Sequence, residues 1–193
     1  AGGWYTLAVR VLRAGEAVQS AVVPHLGVGE VFIVAGQSNA ANYGSEKQES
    51  VSGRLATFDG RTWSPSADPQ GGASGTGGSF MPAFGDAIVK QFNVPVGLVA
   101  LAQGGTSVRE WLPEGMRFSQ NTTTGKGVRA VENGQWESDG VLFKKLVSRL
   151  DAFGLGGFRA VLWHQGESDA GQERAGHPHD RQITAAQYQQ FLL

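Results

Sequence analysis

The chain contains no cysteine, which rules out a disulfide framework and any thiolate metal site. Charge of either sign is scarce as well. Charged residues make up 17% of the sequence against a usual ~25%, and the net charge is -1 with no basic run, so nothing favours nucleic acid or an anionic membrane as partner. No apolar run approaches the ~18 residues that span a bilayer, and Ala1-Gly2-Gly3-Trp4 lacks the basic and apolar regions of a signal peptide. In contrast, 29 glycines among 193 residues are more than helices and strands absorb well, so much of the chain is expected in shaped loops, where function concentrates. The length suits one domain, or one domain with part of a neighbour, and the expected ligand is polar and neutral.

Trp4 to Leu12 predicts a strand, Arg13-Ala14-Gly15-Glu16 a turn and Ala17 to Val23 a returning strand closed by Pro24. A lone hairpin is marginal in water, so residues 1–28 are expected to end a preceding β-domain or to pack on the main one. From residue 29 the grammar changes. Three apolar runs each lead directly into a polar turn: Val31 to Val34 into Ala35-Gly36-Gln37-Ser38, Pro95 to Leu101 into Ala102-Gln103-Gly104-Gly105-Thr106-Ser107, and Phe158 to Trp163 into His164-Gln165-Gly166-Glu167-Ser168-Asp169. Helices are expected over Phe80 to Phe92, capped by Ser79, and over Val141 to Phe153, stopped by Gly154. The segment from Glu46 to Gly78 reads as irregular, with a hairpin around Asp59-Gly60. Alternating strands and helices imply an α/β domain with a parallel sheet covered by helices.

In such a sheet ligands gather beyond the carboxyl ends of the strands, where the three turns converge. Ser38 offers a hydroxyl there; its plainer role is to cap a following helix. Because Ala40 follows two positions later, the turn is not the G-x-S-x-G elbow. Gly104-Gly105 allows a close backbone approach or simply makes a tight turn. Gln165 offers an amide donor and Glu167 a carboxylate that accepts, either of which could serve loop hydrogen bonding alone. Together they compose an acyl-transfer site, with Ser38 as nucleophile and an oxyanion bound by its own N–H, that of Gly104 and the Gln165 amide.

These blocks, Gly36-Gln37-Ser38-Asn39, Gly104-Gly105-Thr106-Ser107 and Trp163 to Asp169, with Trp63, Asp68-Pro69 and Trp111 between them, resemble the sialate O-acetylesterase and acetylxylan esterase branch of the SGNH/GDSL hydrolases. The resemblance runs from about Gly29 to the end. It implies a three-layer flavodoxin-like sheet of order 2-1-3-4-5, with the strands at Val31, Pro95 and Phe158 as the first three, and no metal or cofactor. It further implies an O-acetylated carbohydrate as substrate, a secreted or periplasmic setting, and a Ser-His pair assisted by an acid. By that likeness Ser38 is the nucleophile, Gly104 or Gly105 and Gln165 complete the oxyanion hole, and Glu167 is the candidate acid. The D-x-x-H motif that supplies the family's histidine does not occur in the sequence. His25 is expected at the far end of the sheet, His164 on the face opposite Gln165, and His177 and His179 in a polar loop. Thr184 to Leu193 begins an amphipathic helix without a stop signal. The expectation is a domain over 29–193 lacking its C-terminal part, with the histidine supplied by a missing segment or a second chain. An inactive carbohydrate-binding relative is the alternative, and a lipid esterase is disfavoured because nothing resembles an apolar lid.

Overall fold

A computed structural model of the chain describes residues 2–122, 124–154, 156–170 and 181–193. Strands β1 (Gly3–Arg13) and β2 (Glu16–Val28) form the expected antiparallel hairpin. Its turn works because Ala14 and Gly15 both take positive φ, 52° and 87°, which suits the twist of a two-residue connection. Pro24 does not end the second arm. The register slips between Tyr5 and Leu7, so the residues Pro24 and His25 are accommodated in a bulge and pairing resumes at Leu26, the way a ladder tolerates a residue with no N–H.

The main sheet joins β3 (Glu30–Gly36), β4 (Leu55–Phe58), β5 (Trp63–Pro65), β6 (Val96–Ala100) and β10 (Ala160–His164), in the spatial order β10-β3-β6-β4-β5. All neighbours are parallel except β4 and β5. The three strands that lead into the polar turns are adjacent, with β6 and β10 flanking β3, as the flavodoxin-like order implies for its first three. The hairpin at Asp59-Gly60 exists, but it is no separate excursion. Its first arm, β4, is a further parallel strand outside β6, so the sheet does not follow 2-1-3-4-5 when every parallel strand is numbered. The reason is packing: Leu55 and Thr57 are 4% and 2% exposed, and β6 is apolar on both faces, so its outer side also needs a covered partner.

Alternation along the strands defines two cores. Phe32, Val34, Leu98 and Ala100 face α1 (Met81–Phe92), meeting Met81, Phe84, Ile88 and Val89. Ile33, Ala35, Val99 and Leu101 face α2 (Val141–Phe153), meeting Leu142, Leu146, Leu150 and Phe153. The result is three layers. Both helices end on left-handed residues, Asn93 at φ 55° and Gly154 at φ 66°. Ser79 supports the start of α1 by accepting the Met81 N–H at 3.2 Å. A small antiparallel sheet of β7 (Arg117–Phe118), β8 (Val128–Ala130) and β9 (Trp136–Ser138) and short helices α3 (Glu167–Ala170) and α4 (Ala185–Leu192) complete the described chain. No described helix is long and apolar enough to cross a membrane.

Candidate active site

The exit of β3 depends on a glycine. Gly36 has φ 128°, and a Cβ there would lie 2.0 Å from the His164 carbonyl oxygen, so a side chain would push β3 and β10 apart where Gln37 N–H donates to His164 O at 3.0 Å. The next residue ties the turns together. Gln37 is buried, and its Oε1 accepts the amide N–H of Gly166 at 3.3 Å, that of Ser168 at 3.0 Å and the side-chain amide of Gln165 at 3.1 Å. Ser38 opens a three-residue 3₁₀ turn whose cap position belongs to Gln37, so the helix-cap reading of Ser38 does not hold. Its hydroxyl makes no hydrogen bond to a described residue and stands half-exposed beside a cleft.

The two glycines of the second turn serve different needs. Gly104 lies under Tyr43, whose hydroxyl oxygen would be 2.5 Å from a Cβ, and Gly105 takes φ 76°. The Gly104 N–H donates to the Ser74 hydroxyl at 2.7 Å. Immediately downstream, a 3₁₀ turn over Val108–Trp111 buries two charged residues, Arg109 and Glu110. Arg109 meets Asp169 at 3.4 Å with side chains 0% and 2% exposed, and it also donates to the carbonyls of Gln120, Asn121 and Arg181. Burial alone would lower its pKa, and Asp169 opposes that. Glu110 accepts from the Thr124 hydroxyl at 2.9 Å. Desolvation pushes its carboxyl up to about 7.

Asp169 binds the second turn to the third. Its carboxylate accepts from the Ser107 hydroxyl at 2.5 Å, the Val108 N–H at 2.8 Å and Gln165 Nε2 at 2.6 Å. Gln165 Nε2 therefore has three acceptors, Asp169, Gln37 Oε1 and the Thr106 carbonyl at 2.9 Å, while its Oε1 is buried without a partner. From α4, the Tyr188 hydroxyl donates to Gln165 O at 2.9 Å and accepts the Trp163 indole N–H at 3.0 Å.

Glu167 turns toward Ser38's neighbour. Its Oε1 accepts from the Asn39 side-chain amide and lies 3.4 Å from His164 Nε2; its Oε2 is buried and unpartnered. His164 and Gln165 diverge as adjacent residues of a strand exit do, with Gln165 held inside and the His164 side chain 55% exposed. The approach of His164 to Glu167 was not anticipated. His25 stacks on Trp4 with ring centroids 4.2 Å apart, at the end of the sheet where β3 and β6 begin. His177 and His179 lie outside the described residues.

A cleft of about 300 Å³ opens from Ser38 and Asn39 between Tyr43, Glu46, Gln48 and Phe80. Its wall is built by the exchange of N–H···O bonds between Gly44 and Gly78, each 2.8 Å. Sequence reasoning missed Gln37, Asn39, Arg109 and the tie made by Asp169. The recognised blocks contained Gln37, Asn39 and Asp169, yet nothing local distinguishes a buried amide from an exposed one. No signal in the sequence marks Arg109 as interior.

A sequence profile for the carbohydrate esterase family of sialic acid-specific acetylesterases matches residues 28–185, most of the chain. The chain belongs to this family. Among curated proteins, none matches this chain's sequence. It is similar to the crystal structure of a protein from Arabidopsis thaliana, with TM-score 0.50 and 22% identity over 73% of this chain and 58% of that one. It is also similar to a carbohydrate acetylesterase from Xanthomonas citri, with TM-score 0.45 and 19% identity over 80% of this chain and 36% of that one. The chain thus spans less than two thirds of the length of either structure. The likeness to the Arabidopsis protein supports the α/β fold.

Proposed function

We propose that this chain carries the nucleophile half of a serine esterase of SGNH type that removes O-acetyl groups from carbohydrates. The observation that carries the reading is the knot formed by Gln37, Gln165 and Asp169, which holds the free Ser38 hydroxyl and the unpartnered oxygen of Glu167 on one edge of the sheet. Ser38 Oγ attacks the acetyl carbonyl carbon and gives its proton to a histidine. The tetrahedral intermediate collapses as the sugar oxygen leaves with that proton, and water then releases acetate from the acyl-serine.

Glu167 Oε2 is suited to accept the other N–H of the histidine and fix its tautomer. That histidine is proposed to come from a segment or second chain carrying the family's D-x-x-H pattern. The oxyanion is proposed to rest on the N–H of Ser38, that of Gly104 after exchange with the Ser74 hydroxyl, and Gln165, which can turn a hydrogen outward by giving up Gln37, its longest bond at 3.1 Å. Gly105 contributes its left-handed turn.

The test is release of acetate from an aryl acetate by the protein in its longest natural form. Ser38→Ala should cut turnover by several orders of magnitude, because no other atom can take the acyl group. Activity within a factor of ~10 of the parent would rule out the assignment. Turnover at all excludes a purely carbohydrate-binding protein.

A further inference from the structure

Arg109 is wholly buried, and each of the five N–H groups of its guanidinium faces an acceptor. Nε donates to Ser107 Oγ at 3.0 Å, Nη1 to the carbonyls of Gln120 and Asn121 at 3.0 and 3.2 Å, and Nη2 to Arg181 O at 2.6 Å and Asp169 Oδ1 at 3.4 Å. Phe118 lies against the group, its ring centroid 5.6 Å from Cζ. The guanidinium is thus fixed from the second turn, from the loop at 118–121 and from the chain that enters α4. A buried ion pair gains little over apolar packing of the same volume, so stability alone is a weak reason for so complete a setting.

Another reason lies one contact away. Asp169 is 1% exposed, and the charge of a buried carboxylate has to be matched by a partner, which Arg109 supplies. The other oxygen of Asp169 accepts Gln165 Nε2 at 2.6 Å, the shortest of the three bonds that this nitrogen makes. A primary amide has two orientations of nearly the same shape, and a charged carboxylate beside it admits the nitrogen and repels the oxygen. Among the described residues none bonds Gln165 Oε1, so the orientation is set from the nitrogen side. In the proposed reaction Gln165 gives up Gln37 and turns one hydrogen outward. Its bond to Asp169 is the pivot that remains.

We propose that Arg109 is a positioning residue of this esterase: through Asp169 it holds the Gln165 amide in the orientation that presents a hydrogen to the oxyanion, without touching the substrate. The inference rests on the esterase reading, and its test pairs a measurement that needs no turnover with one that does. In the longest natural form of the protein, the side-chain amide signals of Gln165, assigned by their loss in Gln165→Ala, would be followed in Arg109→Met and Arg109→Lys. Met removes the charge and every donor, whereas Lys keeps a charge beside Asp169 and cannot serve the carbonyls of Gln120, Asn121 and Arg181 together. Solvent exchange of the Gln165 amide should quicken by ~10-fold or more in Arg109→Met and by less than ~3-fold in Arg109→Lys. With an aryl acetate, kcat should fall by ~10-fold or more in Arg109→Met, at a KM within ~2-fold of the parent, and by less than ~3-fold in Arg109→Lys, although both variants lose Tm. In a Gln165→Ala background, Arg109→Met should cost less than ~3-fold further. A purely structural arginine gives the opposite pattern, with turnover falling in step with Tm in both variants and Gln165 signals that ignore them. That result overturns the proposal, and Arg109→Lys decides it even where Arg109→Met does not fold. An absence of acetate release from the parent would instead defeat the esterase reading, with the amide signals still deciding what holds Gln165.

Discussion

Gln165 carries two amide hydrogens and faces three acceptors, and in the proposed mechanism it both positions the turns and serves the oxyanion. On the proposed mechanism, replacing it by Ala removes a donor to the transition state, and it also removes the tie between the first and third turns. Turnover should fall by ~100-fold or more, with a smaller change in KM. A rise in KM alone would assign Gln165 to ground-state binding. The nearly isosteric Gln165→Glu makes a sharper test. It would put a second carboxylate against Asp169, where the amide nitrogen now lies at 2.6 Å, so its Tm should drop further than that of Gln165→Ala. If the Glu variant is the more stable of the two, the packing around Asp169 is looser than described. The roles of the two glycines likewise separate at this scale. That Gly104 and Gly105 form a tight turn was legible from their identity, whereas the need for Gly104 comes from the Tyr43 ring, distant in sequence.

At the scale of elements, the 3₁₀ turn over Val108–Trp111 puts Glu110 at 1% exposure while its neighbour Arg109 is taken up by Asp169. The folded chain holds a proton on Glu110 up to about pH 7, and an unfolded chain releases it near the ordinary carboxyl value. Between those limits the folded state binds more protons, so stability falls as pH rises, and the contribution is complete below the unfolded value and gone above about 7. Its size is on the order of 3 kcal/mol. Glu110→Gln keeps the acceptor for Thr124 and has no proton to lose. Its thermal unfolding should vary less between pH 5 and pH 8 than that of the parent, and at pH 8 it should be the more stable protein. Parallel pH profiles for the two would show that Glu110 does not titrate with folding. Helices α1 and α2 were legible almost to the residue, because their apolar period, the Ser79 start and the Gly154 stop are local features. The strand β4 was legible only as half of a hairpin, since which edge a strand joins is decided by what the rest of the sheet leaves uncovered.

Across the whole molecule, the two cores of the α/β layers include no residue of the hairpin. The hairpin instead meets the sheet at its far end, where Trp4, His25 and Leu26 lie near Val31, Trp63 and Pro95. Deleting residues 1–27 should therefore leave a single cooperative unfolding transition, followed by circular dichroism, with Tm lowered by only a few degrees. Loss of the transition would mean that the sheet depends on the hairpin for its core. What the sequence determined by itself follows from periodicity and local chemistry: the α/β class, the three strands that lead into polar segments, helices α1, α2 and α4, and the gathering of Ser38, Gly104, Gln165 and Glu167 where those three strands end. What only the tertiary structure decided is which partners those residues have. Gln37, Thr106 and Asp169 share the amide hydrogens of Gln165, Arg109 is interior, and His164 approaches Glu167. The bonds from Gln165 to Gln37 and Thr106 and from Arg109 to Asp169 join residues far apart in the chain and depend on parallel strands whose turns open on the same side, whereas the Gln165–Asp169 and His164–Glu167 contacts depend on the short helix α3 that folds back beside the end of β10.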